Sequence, residues 1–256
     1  MNFMYINNYN SVADIYDIYN QSNYDIDFYL QRYQNFRGKA IELMAGTGRL
    51  AIPLIKSGMR LDCLDISDGL LEKLTDKLNK QCEPMKLNTQ VFHADMRKMK
   101  LERLYDLVII GFNSFSEIID ENDRDLIFQS IYRCLNHHGE FVFSLYNPEY
   151  RRKYIDNALT LVNEYQHENQ TVLFFITSKE NPDNIVDVIQ QYEFYNTDGS
   201  LENKQLLKLK FQLISKTEIE NLILKTGFII KNLFGNYDES PFDEDKSPFM
   251  IYILSK

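Results

Sequence analysis

The 256-residue chain contains no tryptophan, three cysteines, four histidines and six prolines. Cys63, Cys82 and Cys134 form no CxxC pair. With His93, His137, His138 and His167 they make no ligand spacing, so neither a disulfide framework nor a structural metal is expected. No run of about 18 apolar residues exists, which argues against a transmembrane helix and a membrane partner. The opening MNFMYINNYN has neither a basic start nor an apolar stretch, so no signal peptide is expected and a cytoplasmic protein is the simple reading. Positive charge is scarce: 28 Lys and Arg against 37 Asp and Glu leave a net charge of −9. Nucleic-acid affinity rests largely on neutralising phosphates, so no nucleic-acid partner is expected. The run Arg151-Arg152-Lys153 is too short to change this and reads as the solvated start of a helix.

What is present suits one globular domain carrying an insertion, with 44% hydrophobic residues available for a core. Residues 1–36 form a tyrosine-rich lead-in, with Tyr5, Tyr9, Tyr16, Tyr19, Tyr24, Tyr29 and Tyr33 crowded together. Ser11 and Asp25 are placed to cap two short helices there, making a helical cap. The tyrosines serve either to cover the core with amphipathic rings or to line a pocket.

From residue 37 strands alternate with helices: KAIELMA, RLDCLDI, LNTQVFHAD, YDLVIIGF and GEFVFSLYN are strand patterns separated by helical ones. YDLVIIGF is apolar throughout after Asp106, as in a parallel strand covered on both faces. The helix NDRDLIFQSIYRCLN is expected to run to His137-His138-Gly139. This rhythm predicts an α/β fold with a doubly wound, mostly parallel sheet over 37–158 and 214–256. Residues 159–213 break it. Leu207, Leu209, Phe211 and Leu213 alternate with Lys208, Lys210 and Gln212, and Asp198-Gly199 marks a hairpin turn. That segment reads as an inserted antiparallel lid. The tail supplies a helix capped by Ser215 with Glu218 three residues on, then strands GFIIKNLF and SPFMIYILS.

The strongest local signal is Glu42-Leu43-Met44-Ala45-Gly46-Thr47-Gly48-Arg49. Glycines directly after a strand let the backbone turn sharply and approach a ligand. Such ligands sit at the carboxyl ends of strands in open α/β sheets. Gly46-x-Gly48-x-x-Ala51 also satisfies the dinucleotide pattern, and Asp65, 19 residues after Gly46, is spaced to take ribose hydroxyls in either case. By spacing alone, an NAD-dependent oxidoreductase competes.

ELMAGTGR, His93-Ala94-Asp95-Met96 and the strand order of the tail resemble class I S-adenosylmethionine-dependent methyltransferases. The small-molecule branch that includes bacterial amino-sugar N,N-dimethyltransferases is the nearest likeness, through Ala94-Asp95-Met96-Arg97, the tyrosine-rich lead-in and the lid. Met44 and Ala45 depart from it, standing where many members have Cys or Ala and Gly. The resemblance implies a seven-stranded Rossmann-like sheet with an antiparallel last strand, S-adenosylmethionine as cofactor, a small-molecule acceptor, and paired copies as a homodimer. By position it implies that Glu42 orders the turn and faces the methionine amino group. Ala45, Gly46 and Gly48 then admit the cofactor. Asp65 holds the ribose, and Ile66 packs on adenine. Asp95 and Met96 meet the adenine edge. Gly111 and Phe112 flank the methionine part, with Tyr16 and Tyr24 closing the site. Glu117 takes the slot where relatives carry a His and, with Tyr16, is the candidate for handling the acceptor's proton; a solvated loop acid is the alternative. Tyr237 resembles a position near the acceptor. The function implied is methyl transfer to an amine or hydroxyl by in-line displacement. A non-catalytic protein that binds S-adenosylmethionine or S-adenosylhomocysteine is the third reading.

Overall fold

A computed structural model describes residues 7–81, 89–99 and 103–256. Tyr5 and Cys82 lie outside them, as does the start of the LNTQVFHAD segment. Strands β1 (Lys39–Leu43), β2 (Arg60–Asp65), β3 (Val91–His93), β4 (Tyr105–Ile110), β5 (Leu135–Tyr146), β10 (Ile229–Phe234) and β11 (Phe249–Ser255) form one sheet in the order β10-β11-β5-β4-β1-β2-β3. β1 runs parallel to β2 and β4, and β4 parallel to β5, whereas β11 is antiparallel to both β5 and β10. The expected sheet and its reversed last strand are present. Strand order reverses between β1 and β4, where such sheets open a crevice at their carboxyl edge.

Side chains alternate between two cores. Ile41, Leu43, Val108, Ile110 and Phe143 pack on one face; Ala40, Ala45, Leu107, Ile109 and Val142 on the other. Helices α3 (Ala51–Lys56), α4 (Asp68–Asn79), α5 (Glu121–Cys134) and α7 (Lys216–Thr226) cover them. In α4 the apolar spacing buries Leu70, Leu71, Leu74 and Leu78 on one stripe, and Ser67 caps the start by accepting from Leu70 N.

Helix α5 stops at Cys134, three residues before the histidines. Leu135 is already extended, fully buried and paired with Tyr105, so LNHHGEF belongs to β5. The lead-in also differs from expectation. A 3-10 turn (Tyr9–Val12), one helical turn α1 (Tyr16–Tyr19) and α2 (Ile26–Arg32) replace two capped helices. Its polar side chains are drawn into tertiary bonds. Asn10 donates to Asp68 at 2.7 Å, Thr47 to Asp17 at 2.6 Å, and Ser11 merely to Asn8 O. Asp25 caps nothing with its side chain; both its oxygens go to Arg49.

Between β5 and α7 lie the short helix α6 (Pro148–Arg151) and a meander, β6 (Thr160–His167), β7 (Gln170–Glu180), β8 (Ile185–Tyr195) and β9 (Leu201–Gln212). Its inner face holds two small cores. Val12 and Ile15 of the lead-in pack on Val172, Phe174, Tyr192, Phe194 and Leu207. Farther along, Val186, Val188, Phe211 and Leu213 close over Tyr146 and Ile155.

Candidate active site

The glycine turn is tied to the end of β2. Asp65 accepts from Gly46 N at 2.7 Å and from Ser67 N at 2.9 Å. Burial raises its carboxyl above the ordinary value, against the pull of those donors. Met44, Gly46 and Gly48 all take left-handed φ, at 58°, 55° and 80°. The two glycines face different surroundings. At Gly46 the nearest atom to an added Cβ is Leu70 Cδ1, 3.8 Å away, so the backbone is open; at Gly48 it would meet Leu74 Cδ1 at 2.4 Å.

A cavity of about 860 Å³ opens beside this turn. Met44, Gly46, Leu64, Asp65 and Ile66 make one wall, and Ala94 to Arg97 extend it. Phe112, Asn113 and Glu117, after β4, make a second. Asn7, Tyr9 and Tyr16 of the lead-in, with Ile176, Val188, Leu209 and Phe211 of the lid, face them.

The turn after β4 is strained. Phe112 and Asn113 both have φ near +57° and +58°, each costing about 1–2 kcal/mol for a residue with a Cβ. Asn113 N is held by Ser144 Oγ at 3.0 Å, and Arg49 lies 4.3 Å over the Phe112 ring. The payoff is orientation: the following 3-10 turn (Ser114–Glu117) brings Glu117 back to the cavity. The Asn113 carboxamide is buried beside it with neither its nitrogen nor its oxygen hydrogen-bonded.

Glu117 is no solvated loop acid. Its two oxygens accept from Tyr9 Oη at 2.7 Å and Asn7 Nδ2 at 2.6 Å. Burial pushes its carboxyl up to about 7, and the two donors oppose that rise. Asn7 is itself fixed on the lid, donating to Lys210 O at 3.1 Å and accepting from Lys210 N at 2.9 Å. Burial, then Glu117, raises the phenols of Tyr9 and Tyr16, so both remain protonated donors.

Asp95 caps its 3-10 turn (Met96–Lys98) and forms a bidentate pair with Arg97, at 2.7 and 2.5 Å. Burial works to raise its carboxyl, but the Arg97 bonds outweigh this and hold it below the usual value. His93 is exposed, with Nε2 3.0 Å from Ile66 O.

Of the residues singled out by sequence, Tyr16, Gly46, Asp65, Ile66, Asp95, Met96, Phe112 and Glu117 meet at the cavity. Six do not line it. Tyr24 stands behind Phe112, stacked between that ring at 5.7 Å and Phe249 at 5.5 Å. Glu42 is buried near Arg49 and Asp25, with its carboxyl pushed by burial up to about 8 and its Oε2 unpartnered. Ala45 is core. Gly48 gives α4 room, and Gly111 gives room to Leu50 Cδ2, 3.0 Å from an added Cβ. Tyr237 is also off the wall, donating to Ser144 Oγ at 2.9 Å. Conversely, Asn7, Asn113, Tyr146 and Arg151 line the cavity and were not anticipated. Arg151 was read as a solvated helix start, yet its Nε is buried. Asn113 sits in the visible segment GFNSFSE; only its left-handed backbone distinguishes it.

A methyltransferase-domain family model matches residues 40–139, from β1 through the start of β5. A glycine/sarcosine N-methyltransferase from Aphanothece halophytica is 21% identical over 92% of this chain and 83% of its own. By these matches the chain is similar to S-adenosylmethionine-dependent methyltransferases, and residues 40–139 carry the methyltransferase-domain pattern. The methyltransferase fold extends over the whole chain. An S-adenosylmethionine-dependent methyltransferase from Clostridium acetobutylicum superposes with a TM-score of 0.78, at 19% identity, covering 96% of this chain and 98% of that one. An amino pentose methyltransferase from Micromonospora echinaspora, solved with S-adenosylmethionine bound, gives 0.70 at 11% identity, covering 100% and 99%. The NAD-linked and non-catalytic readings find no support among these relatives. The residues lining the cavity fit S-adenosylmethionine, the cofactor of those relatives. Gly46 offers open backbone, Asp65 lies at the β2 end, and the orphaned Asn113 carboxamide supplies both a donor and an acceptor.

Proposed function

We propose that this methyltransferase methylates the amine nitrogen of a small molecule, with Glu117 receiving the ammonium proton. The observation that carries the reading is a buried carboxyl on the cavity wall, poised at about 7. S-adenosylmethionine, when bound, supplies an activated methyl group. The chain's residues hold, orient and deprotonate. Gly46 and Asp65 are assigned to the cofactor side, with Ile66, Met96 and Phe112 as apolar walls and Asp95 at their edge. Tyr9 and Asn7 keep the Glu117 carboxylate aimed inward, and Tyr16 donates without serving as a base. The lead-in and lid exclude water, and alignment in such a site contributes several kcal/mol. The relatives' names, an N-methyltransferase of glycine and sarcosine and an amino pentose methyltransferase, support an amine acceptor. A cytoplasmic setting belongs to the same reading. Cys63 and Cys134 are buried free thiols, as suits a reducing compartment.

Calorimetric titration with S-adenosylmethionine is expected to give micromolar binding that Asp65→Ala weakens at least tenfold; unchanged affinity would remove Asp65 from the site. Glu117 must be ionised to accept a proton, so kcat/KM is expected to rise through about pH 7. Glu117→Gln should lower kcat by about 10²–10⁴-fold and abolish that limb. A variant with the wild-type pH profile would exclude this role.

A further inference from the structure

Three cations line the cavity among the described residues: Arg97, Lys210 and Arg151. Arg97 pairs with Asp95 and Asp123, and Lys210 with Asp187 at 2.6 Å. Arg151 has no carboxylate partner among the described residues. Its neighbour Arg152 takes both nearby acids, Glu149 at 2.8 Å and Glu180 at 3.0 Å. Glu117 is satisfied by Asn7 and Tyr9. The Arg151 guanidinium instead lies over two rings, 5.1 Å from Tyr146 and 5.6 Å from Phe211, with Nε buried and donating to nothing.

Arg151 is half-buried, but a buried donor such as its Nε is costly without an acceptor unless something else completes it. Two rings hold the guanidinium in place, and a guanidinium can make two parallel bonds to a planar or tetrahedral oxyanion. Tyr146 ends β5 and Phe211 lies in β9, so the cation is held between the main sheet and the lid.

We infer that Arg151 forms an anion subsite, and that the acceptor is an amine carrying a carboxylate or phosphate group. This rests on the N-methylation reading for the amine but not for the anion. Arg151 sets specificity by holding the acidic end of the acceptor while the nitrogen meets Glu117. Neutral amines of the same size lack the group that satisfies Arg151 and are poor acceptors.

The test titrates sodium acetate, inorganic phosphate and neutral acetamide into the full-length protein saturated with S-adenosylhomocysteine. One anion is expected to bind, acetamide is not, and Arg151→Gln should weaken the anion by about ten- to a hundredfold, the usual loss for a charge-assisted pair. A preference for acetate points to an amino-acid-like acceptor, and one for phosphate to a phosphorylated amino sugar. Equal anion binding by Arg151→Gln, or none by the wild type, overturns the subsite. If Arg151→Gln does not fold, phenylglyoxal modification of the wild type replaces it: the bound anion should protect Arg151, and full labelling in its presence overturns the inference. No methyl transfer enters these readouts. Arg151-dependent anion binding without turnover of any amine would count against the N-methylation reading alone.

Discussion

Arg49→Met is expected to destabilise the fold by about 3–5 kcal/mol, the usual cost of leaving one member of a buried ion pair alone. Arg49 donates to both oxygens of Asp25, at 2.6 and 2.7 Å, and to Ser22 O at 2.9 Å. Asp25 has no exposed surface, so without Arg49 its carboxylate must either stay charged in a dry site or take up a proton. The arginine also joins three parts of the molecule, since it starts in the glycine turn, holds the lead-in and covers Phe112. Urea unfolding reads the loss as a lower midpoint at unchanged slope. Replacing both partners, Asp25→Leu with Arg49→Met, should recover most of it, because the stranded charge is gone. A double variant as weak as the single one would show that the contacts to Ser22 and Phe112, and not the pair, carry the stability.

Gly48→Ala should be nearly as damaging, and Gly46→Ala should not. At Gly48 a methyl would sit 2.4 Å from Leu74 Cδ1 and 3.2 Å from Ile52 Cγ1, on a backbone with φ of +80°. Overpacking of about 1–3 kcal/mol adds to about 1–2 kcal/mol for the left-handed residue. For a chain of this size that lowers Tm by on the order of 10 °C. At Gly46 the space is open and the conformational term stands alone, so stability drops little while cofactor affinity drops more. Thermal unfolding with and without S-adenosylhomocysteine separates the two. Equal loss of Tm at both positions would refute the division of labour between them.

That division marks the limit of what the sequence discloses. GTG after a strand announces a tight turn, but the pattern cannot say which glycine faces the cavity and which faces α4. The place of Asp65 on the cavity wall was legible because a strand end and a fixed chain distance from the turn locate it. The sheet was legible because apolar runs such as Val108-Ile109-Ile110 recur at βα spacing. Residues joined over long distances were not. Glu117 is buried by Asn7 and Tyr9, 110 and 108 positions earlier. Asp25 reads locally as a cap until Arg49, 24 residues on, claims it. Arg151 stands among basic neighbours that suggest a helix start; it is instead the last residue of α6, and its guanidinium lies between Tyr146 and Phe211 of the lid. The end of α5 was misplaced because Leu135 suits a helix as well as a strand, and its pairing with Tyr105 decides.

The lid has its own small cores, built with the lead-in and Tyr146, separate from the two that fill the main sheet. Changes in the inner face of the meander are therefore absorbed locally, while the glycine turn and Asp65 keep their surroundings. On the proposed assignment, such a molecule can exchange one acceptor for another over generations without relearning its methyl donor. Asn7 is the stitch across that seam, bonded to Lys210 on one side and Glu117 on the other. Grafting a foreign lid onto this chain would have to carry the matching lead-in with it.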